Sequence, residues 1–207
     1  MTGKGIRTQH EGIGDSEKKI CVFISPRAGC TVACKEIFRL LGIEKNATNY
    51  SSWIHNYRTQ VFVHQAPNLS LKKLQEEGYT FIKCLVNPYA RAVSIWHHNF
   101  PRPDNTFREW MQHLATKGTA GLNPNEVYHS KTQHFPGEDQ LKITYLRLEN
   151  NDKHTFEVDG VKYVFDPCSR GSTHHAVKID STEFVGDVLR SEIRGRIPKS
   201  YRYFYDD

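Results

Sequence analysis

No apolar run in this chain approaches the ~20 residues that a membrane-spanning helix needs. The opening stretch, MTGKGIRTQHEGIGDSEKK, also lacks the apolar centre of a secretory signal. Cysteine is sparse: the five thiols are odd in number and fit no zinc-ligand spacing. A disulfide framework and a zinc ribbon are therefore not expected, and a reducing compartment, the cytoplasm, is. The motifs GxxxxGK[ST] and GxGxxG are both missing, which removes the usual signatures of NTPases and dinucleotide enzymes. There is no internal repeat and no low-complexity tract.

What is present suits a globular protein. A chain of 207 residues, 38% hydrophobic and 12% aromatic, can bury a sizeable core. The net charge of +5 suits a polyanionic ligand without identifying one. No nucleic-acid or membrane partner is expected. Residues 1–18, polar and glycine-rich, read as a flexible lead-in, and residues 19–207 as a single domain.

The most informative stretch is residues 19–41, KICVFISPRAGCTVACKEIFRLL. Residues 20–24 read as a buried strand. A tight loop follows, Ser25-Pro26-Arg27-Ala28-Gly29-Cys30-Thr31. Ala33, Ile37, Leu40 and Leu41 then recur at helical spacing, and Gly42 supplies a stop. Strand, small-residue loop and helix together present bare backbone N–H groups to an anion, at the positive end of the helix dipole.

Further along, residues 59–64 read as a second strand ending at His64. Ser70 caps a short helix that Gly78 ends. Residues 79–86 read as a third strand, broken by Asn87-Pro88, after which a helix begins. Thr106 and Glu109 form a capping box ahead of a stripe of Phe107, Trp110, Met111 and Leu114. Residues 117–139 read as loop-rich, residues 142–148 as a fourth strand, and residues 155–165 as a hairpin turning at Asp159-Gly160. Ser181 is placed to cap a last helix, and the aromatic tail SYRYFYDD is expected to pack down. Cys21 and Cys84 lie within apolar strands and read as core. Strands alternating with helices give an α/β fold with a central, mostly parallel sheet. Ligands of such sheets sit beyond the carboxyl ends of the strands.

Two stretches resemble the cofactor elements of sulfotransferases that use 3′-phosphoadenosine 5′-phosphosulfate (PAPS). Pro26-Arg27-Ala28-Gly29-Cys30-Thr31, with Lys35 beyond it, is similar to the 5′-phosphosulfate loop of the carbohydrate sulfotransferases, P-K-x-[GA]-C-T-x-x-x-K. The family's lysine is Arg27 here. Asn87-Pro88-Tyr89-Ala90-Arg91-Ala92-Val93-Ser94 is similar to the 3′-phosphate element, R-[DN]-P-[FY]-x-R-x-x-S, with Val86 in place of the leading arginine. The resemblance covers residues 20–170 and is closest to the uronyl 2-O and chondroitin-type enzymes. It implies a P-loop-like three-layer sandwich in one domain.

The resemblance also implies roles. Arg27, Ala28, Gly29, Cys30 and Thr31 would hold the 5′-phosphosulfate, Arg91 and Ser94 the 3′-phosphate, and Arg170, in a late Ser169-Arg170-Gly171-Ser172 loop, the same end of the cofactor. His64 would serve as general base, since imidazole suits proton removal near neutrality. His129 and Gln133 match an H-x-x-x-Q element near the acceptor. Arg27 would stabilise the leaving oxygen electrostatically, because a guanidinium is a poor proton donor. The implied reaction moves a sulfuryl group from PAPS to a hydroxyl on a glycan acceptor, releases the bisphosphate PAP, and requires no metal. Two other readings stand beside it. A non-catalytic glycan- or polyanion-binding protein on a decayed sulfotransferase fold accounts for Arg27 and Val86. A P-loop-like nucleotide kinase is opposed by the missing GK[ST].

Overall fold

The computed structural model describes residues 4–99 and 106–170. These fall into two compact units, one from residues 4–85 with 136–170, the other from residues 86–99 with 106–135. The segment after residue 85 carries helices with a buried stripe of their own. Among the described residues, no helix is long and apolar enough to cross a membrane.

The first unit is mixed α/β, built on a five-stranded sheet in the order β1-β2-β3-β4-β5. Its strands are β1 (Gly5–Arg7), β2 (Gly12–Asp15), β3 (Ile20–Phe23), β4 (Thr80–Leu85) and β5 (Ile143–Arg147). β2 runs antiparallel to both neighbours, whereas β3, β4 and β5 are mutually parallel. All four residues of β3 are buried, as expected for a strand covered on both faces. Cys21 and Cys84 lie in this core, as their apolar settings implied.

Residues 5–15 correct the expectation of a flexible lead-in. They form a hairpin hydrogen-bonded to β3. The glycines there serve close approach rather than flexibility. A Cβ on Gly14 would stand 2.2 Å from the Ile20 carbonyl oxygen. Only glycine lets the strands meet at that distance.

Between β3 and β4 lie α1 (Cys30–Leu40), α2 (Glu44–Tyr50), α3 (Ile54–Tyr57), a π-helical turn (Arg58–Phe62), α4 (Val63–Gln65) and α5 (Leu71–Glu76). The Ala33, Ile37 and Leu40 stripe of α1 is buried, and Gly42 follows at φ 73°. Residues 59–64 are helical, not the strand their Val-Phe-Val run suggested. Ile54, Tyr57, Phe62 and Ala66 are buried at roughly one-turn steps, and this stripe overrides β-propensity. Ser70 caps α5 by accepting from the Lys73 N–H. β6 (His154–Val158) and β7 (Val161–Phe165) form the expected hairpin, with Asp159 and Gly160 at φ 52° and 77° as a type I′ turn requires.

The second unit holds α6 (Pro88–Asn99), α7 (Phe107–Lys117) and α8 (Pro124–Ser130). The Asn87 side chain accepts from the N–H groups of Tyr89 and Ala90 and so starts α6. Thr106 and Glu109 make the expected capping box, and Phe107, Trp110, Met111 and Leu114 are buried. The 117–139 stretch is more ordered than its glycines and prolines implied, since Asn123 and Glu126 form a second capping box on α8. The Ser181 helix, the aromatic tail, Gly171 and Ser172 lie outside the described residues.

Candidate functional site

β3 ends at Phe23, and the chain turns through residues 25–29 into α1. The Ala28 N–H donates to the Ser25 carbonyl at 3.2 Å, closing the turn. Arg27 and Gly29 both adopt left-handed backbone conformations, at φ 58° and 69°. Gly29 has a second reason to be glycine: a Cβ there would stand 2.1 Å from Leu148 Cδ1. Left-handed φ is unfavourable for arginine and ordinary for glycine, so this loop stores strain at one residue.

Gly29 caps α1 without any side-chain hydrogen bond, and the first turn contains no acid. The first intrahelical bond runs from the Ala33 N–H to the Gly29 carbonyl at 2.9 Å. The N–H groups of Cys30, Thr31 and Val32 precede that bond and have no intrahelical acceptor. Three donors, the positive end of an 11-residue helix and the Arg27 guanidinium thus share one small loop. Burial lowers the Arg27 pKa, and the nearby Cys30 thiol opposes that effect. An arginine so placed remains a cation at neutral pH.

The histidine that the structure sets against this loop is His55, not His64. His55 lies on α3, is 7% exposed, and has Nε2 3.2 Å from Thr31 Oγ1. Its Nδ1 is 3.8 Å from Cys34 Sγ, one turn further along α1. The exposed Trp53 indole meets its ring edge-on at 5.5 Å. His64 is exposed on α4 and ends no strand, so the position that singled it out is corrected. His55 was missed because its partners lie 21 and 24 residues away. The only sequence signal for it was its place between the buried Ile54 and Tyr57.

In the second unit, Arg91 is buried and its Nη2 donates to the carbonyls of His129 and Lys131, at 3.2 and 2.6 Å. Gln133, also buried, accepts from the Val86 N–H at 3.2 Å and donates to the Val86 carbonyl at 3.0 Å. Both side chains therefore tie residues 129–133 to the start of α6. His129 Nδ1 lies 2.9 Å from the Asn125 carbonyl; since a carbonyl only accepts, that nitrogen carries the proton and donates it. Its ring meets His98 edge-on at 5.0 Å. Ser94 is half-buried on α6. Arg170 closes a short 3-10 turn (Pro167–Arg170), and its side chain lies outside the description. Among the described residues, no three His, Cys, Asp or Glu side chains are grouped to hold a metal ion.

Lys83 of β4 is fully buried and donates to Glu138 at 2.5 Å. Compared with models of known protein families, with curated proteins and with solved structures, the chain finds no match.

Proposed function

We propose that this chain is a PAPS-dependent sulfotransferase that delivers the sulfuryl group to a hydroxyl of a glycan acceptor. The observation that carries the reading is the uncapped N-terminus of α1 beside Arg27. Three backbone donors and a guanidinium suit the doubly charged 5′-phosphosulfate. In the reaction an acceptor oxygen forms a bond to sulfur as the bond from sulfur to the bridging phosphate oxygen breaks. The acceptor loses its proton, and the electron pair of the broken bond stays on the phosphate. Catalysis of this kind is mostly positioning and charge stabilisation, as in phosphoryl transfer. The loop N–H groups hold the phosphate, and Arg27 offsets the charge that develops on the leaving oxygen. His64 keeps its candidacy as proton acceptor on accessibility, not on position, because its ring is exposed on α4.

Arg27 and Val86, which replace the family's lysine and arginine, favour a second reading as a non-catalytic polyanion-binding protein. One experiment separates the two. Calorimetric titration with PAP is run beside transfer of label from radioactive PAPS to mixed glycan acceptors without divalent metal. Binding with transfer is the expected result, and His64→Ala is expected to lower transfer without changing PAP affinity. Heparin retention with neither PAP binding nor transfer establishes the second reading and overturns the first.

A further inference from the structure

We propose that Trp53 and Tyr50 hold the acceptor by stacking on an uncharged sugar ring beside the start of α1. The stacking stands on this surface alone; that the ring is an acceptor's rests on the proposed transferase reading. Among the described residues, Tyr50 and Trp53 are the exposed Phe, Tyr or Trp side chains, at 50% and 51%. Tyr50 ends α2 and Trp53 caps α3, with two serines between them. The Trp53 indole has one ring partner, His55, and among the described residues no group accepts from its N–H. Both rings are nevertheless held in place. Ser51 Oγ accepts from the Trp53 backbone N–H at 3.1 Å and from Asn56 Nδ2 at 3.0 Å, which fixes the bend between the helices. Tyr50 donates its hydroxyl to Gln60 Oε1 at 2.8 Å, and its ring meets the buried Tyr57 edge-on at 5.8 Å. Exposed but immobilised aromatic rings bind a partner with little entropy left to lose.

The surroundings say what kind of partner. Residues 46–57, NATNYSSWIHNY, hold no Asp, Glu, Lys or Arg, in a chain that is 25% charged. Asn46, Asn49 and Ser52 are exposed around the two rings. A pyranose shows C–H groups on one face, which the negative face of an aromatic ring attracts, and hydroxyls at its edge. Those hydroxyls match amides, a serine and the open indole N–H. A uronate or sulfated ring would find no cation in this run, so the fit is to a neutral sugar. At half exposure each aromatic ring shows about 100 Å². That is well short of the ~800 Å² per partner of a stable protein interface. Position links the surface to the anion loop. The His55 ring touches the indole at 5.5 Å, and its Nε2 lies 3.2 Å from Thr31 Oγ1, so one imidazole separates Trp53 from the second residue of α1. A sugar stacked on Trp53 brings its hydroxyls within about a ring's width of the place where the sulfuryl group would sit.

The test is NMR on the 15N-labelled full-length protein, in which Trp53→Phe identifies the Trp53 indole N–H signal by its absence. Neutral tetrasaccharides of glucose, galactose, mannose and N-acetylhexosamines are titrated, with tetragalacturonate as the acidic probe and PAP as the cofactor probe. At least one neutral tetrasaccharide is expected to move the Trp53 signal, at a lower concentration than tetragalacturonate does. For that sugar, with Kd read from the backbone signals of residues 51–56, Trp53→Ala is expected to weaken binding about tenfold and Tyr50→Ala about threefold. Trp53→Phe, which keeps a stacking face, is expected to stay within about threefold of wild type. Trp53→Ala is expected to leave the Kd for PAP within about twofold. The proposal is overturned if no neutral tetrasaccharide moves the signal, if tetragalacturonate binds more tightly than all of them, or if Trp53→Ala binds the sugar as well as wild type. A tenfold loss of PAP affinity in Trp53→Ala also overturns it, by giving the ring to the cofactor's adenine. Sugar binding at Trp53 in a protein that neither binds PAP nor transfers label overturns the transferase reading and leaves the sugar subsite standing.

Discussion

Lys83 Nζ and Glu138 Oε2 lie 2.5 Å apart, and neither side chain is reached by solvent. Lys83 comes from β4, and Tyr145, its register partner on β5, donates to the other Glu138 oxygen at 2.9 Å. Burial beside that carboxylate raises the Tyr145 pKa, so the phenol stays a donor. The three groups close a small polar network inside the apolar first unit.

Removing one member of that network is expected to cost more than removing two. Lys83→Met leaves Glu138 charged and buried, and is expected to destabilise the protein by about 3–5 kcal/mol. Adding Glu138→Leu to it is expected to restore most of that loss. Urea unfolding followed by circular dichroism measures all three proteins. A double variant as unstable as Lys83→Met would show that packing, not charge pairing, is what the site requires.

The same loop glycine that opens α1 gives a second contrast. Gly29 and Gly42 have nearly equal left-handed φ, 69° and 73°, but a Cβ on Gly42 meets nothing within 4 Å. Gly42→Ala therefore carries only the conformational cost, about 1 kcal/mol. Gly29→Ala adds a collision with Leu148 and is expected to cost about 2–4 kcal/mol. Thermal unfolding of both variants checks the difference, and equal costs would mean that Leu148 moves aside freely.

Alkaline pH is expected to destabilise the first unit through its buried thiols. Burial pushes the pKa of Cys21 and of Cys34 up to about 12. The unfolded chain ionises these thiols near their usual pKa of about 8.5. A folded pKa above the unfolded one contributes stability that is complete below about pH 8.5 and is lost as pH rises toward about 12. The urea midpoint is expected to fall across that window under reducing conditions. Cys21→Ala is expected to flatten the fall; an unchanged slope would assign it to other groups.

Local chemistry made much of this molecule legible in advance. The turn from β3 into α1, the Ser70 and Thr106 caps and the Asp159-Gly160 turn each depend on residues a few positions apart. What was misread depends on distant partners. The glycines of β1 and β2 look flexible until Ile20 is placed against Gly14. The run at residues 59–64 looks extended until Ile54, Tyr57 and Ala66 define a helical stripe around it. His55 and Lys83 gain their meaning from partners 24 and 55 residues away, which no motif records.

Arg27 offers the sharpest separation of stability from function. Its left-handed φ of 58° costs an L-residue with a Cβ about 1–2 kcal/mol, and glycine adopts the same backbone without that strain. After the extra entropy that glycine loses on folding, Arg27→Gly is expected to raise stability by about 0.5–1 kcal/mol. The same substitution removes the one charged side chain of the loop and is expected to weaken PAP binding by at least about tenfold. A residue kept only for structure moves both quantities in the same direction, whereas one held under strain for a ligand moves them in opposite directions. Urea unfolding and PAP titration on the same preparation read both. If Arg27→Gly is less stable than wild type and binds PAP equally well, the arginine belongs to the fold and the loop loses its ligand.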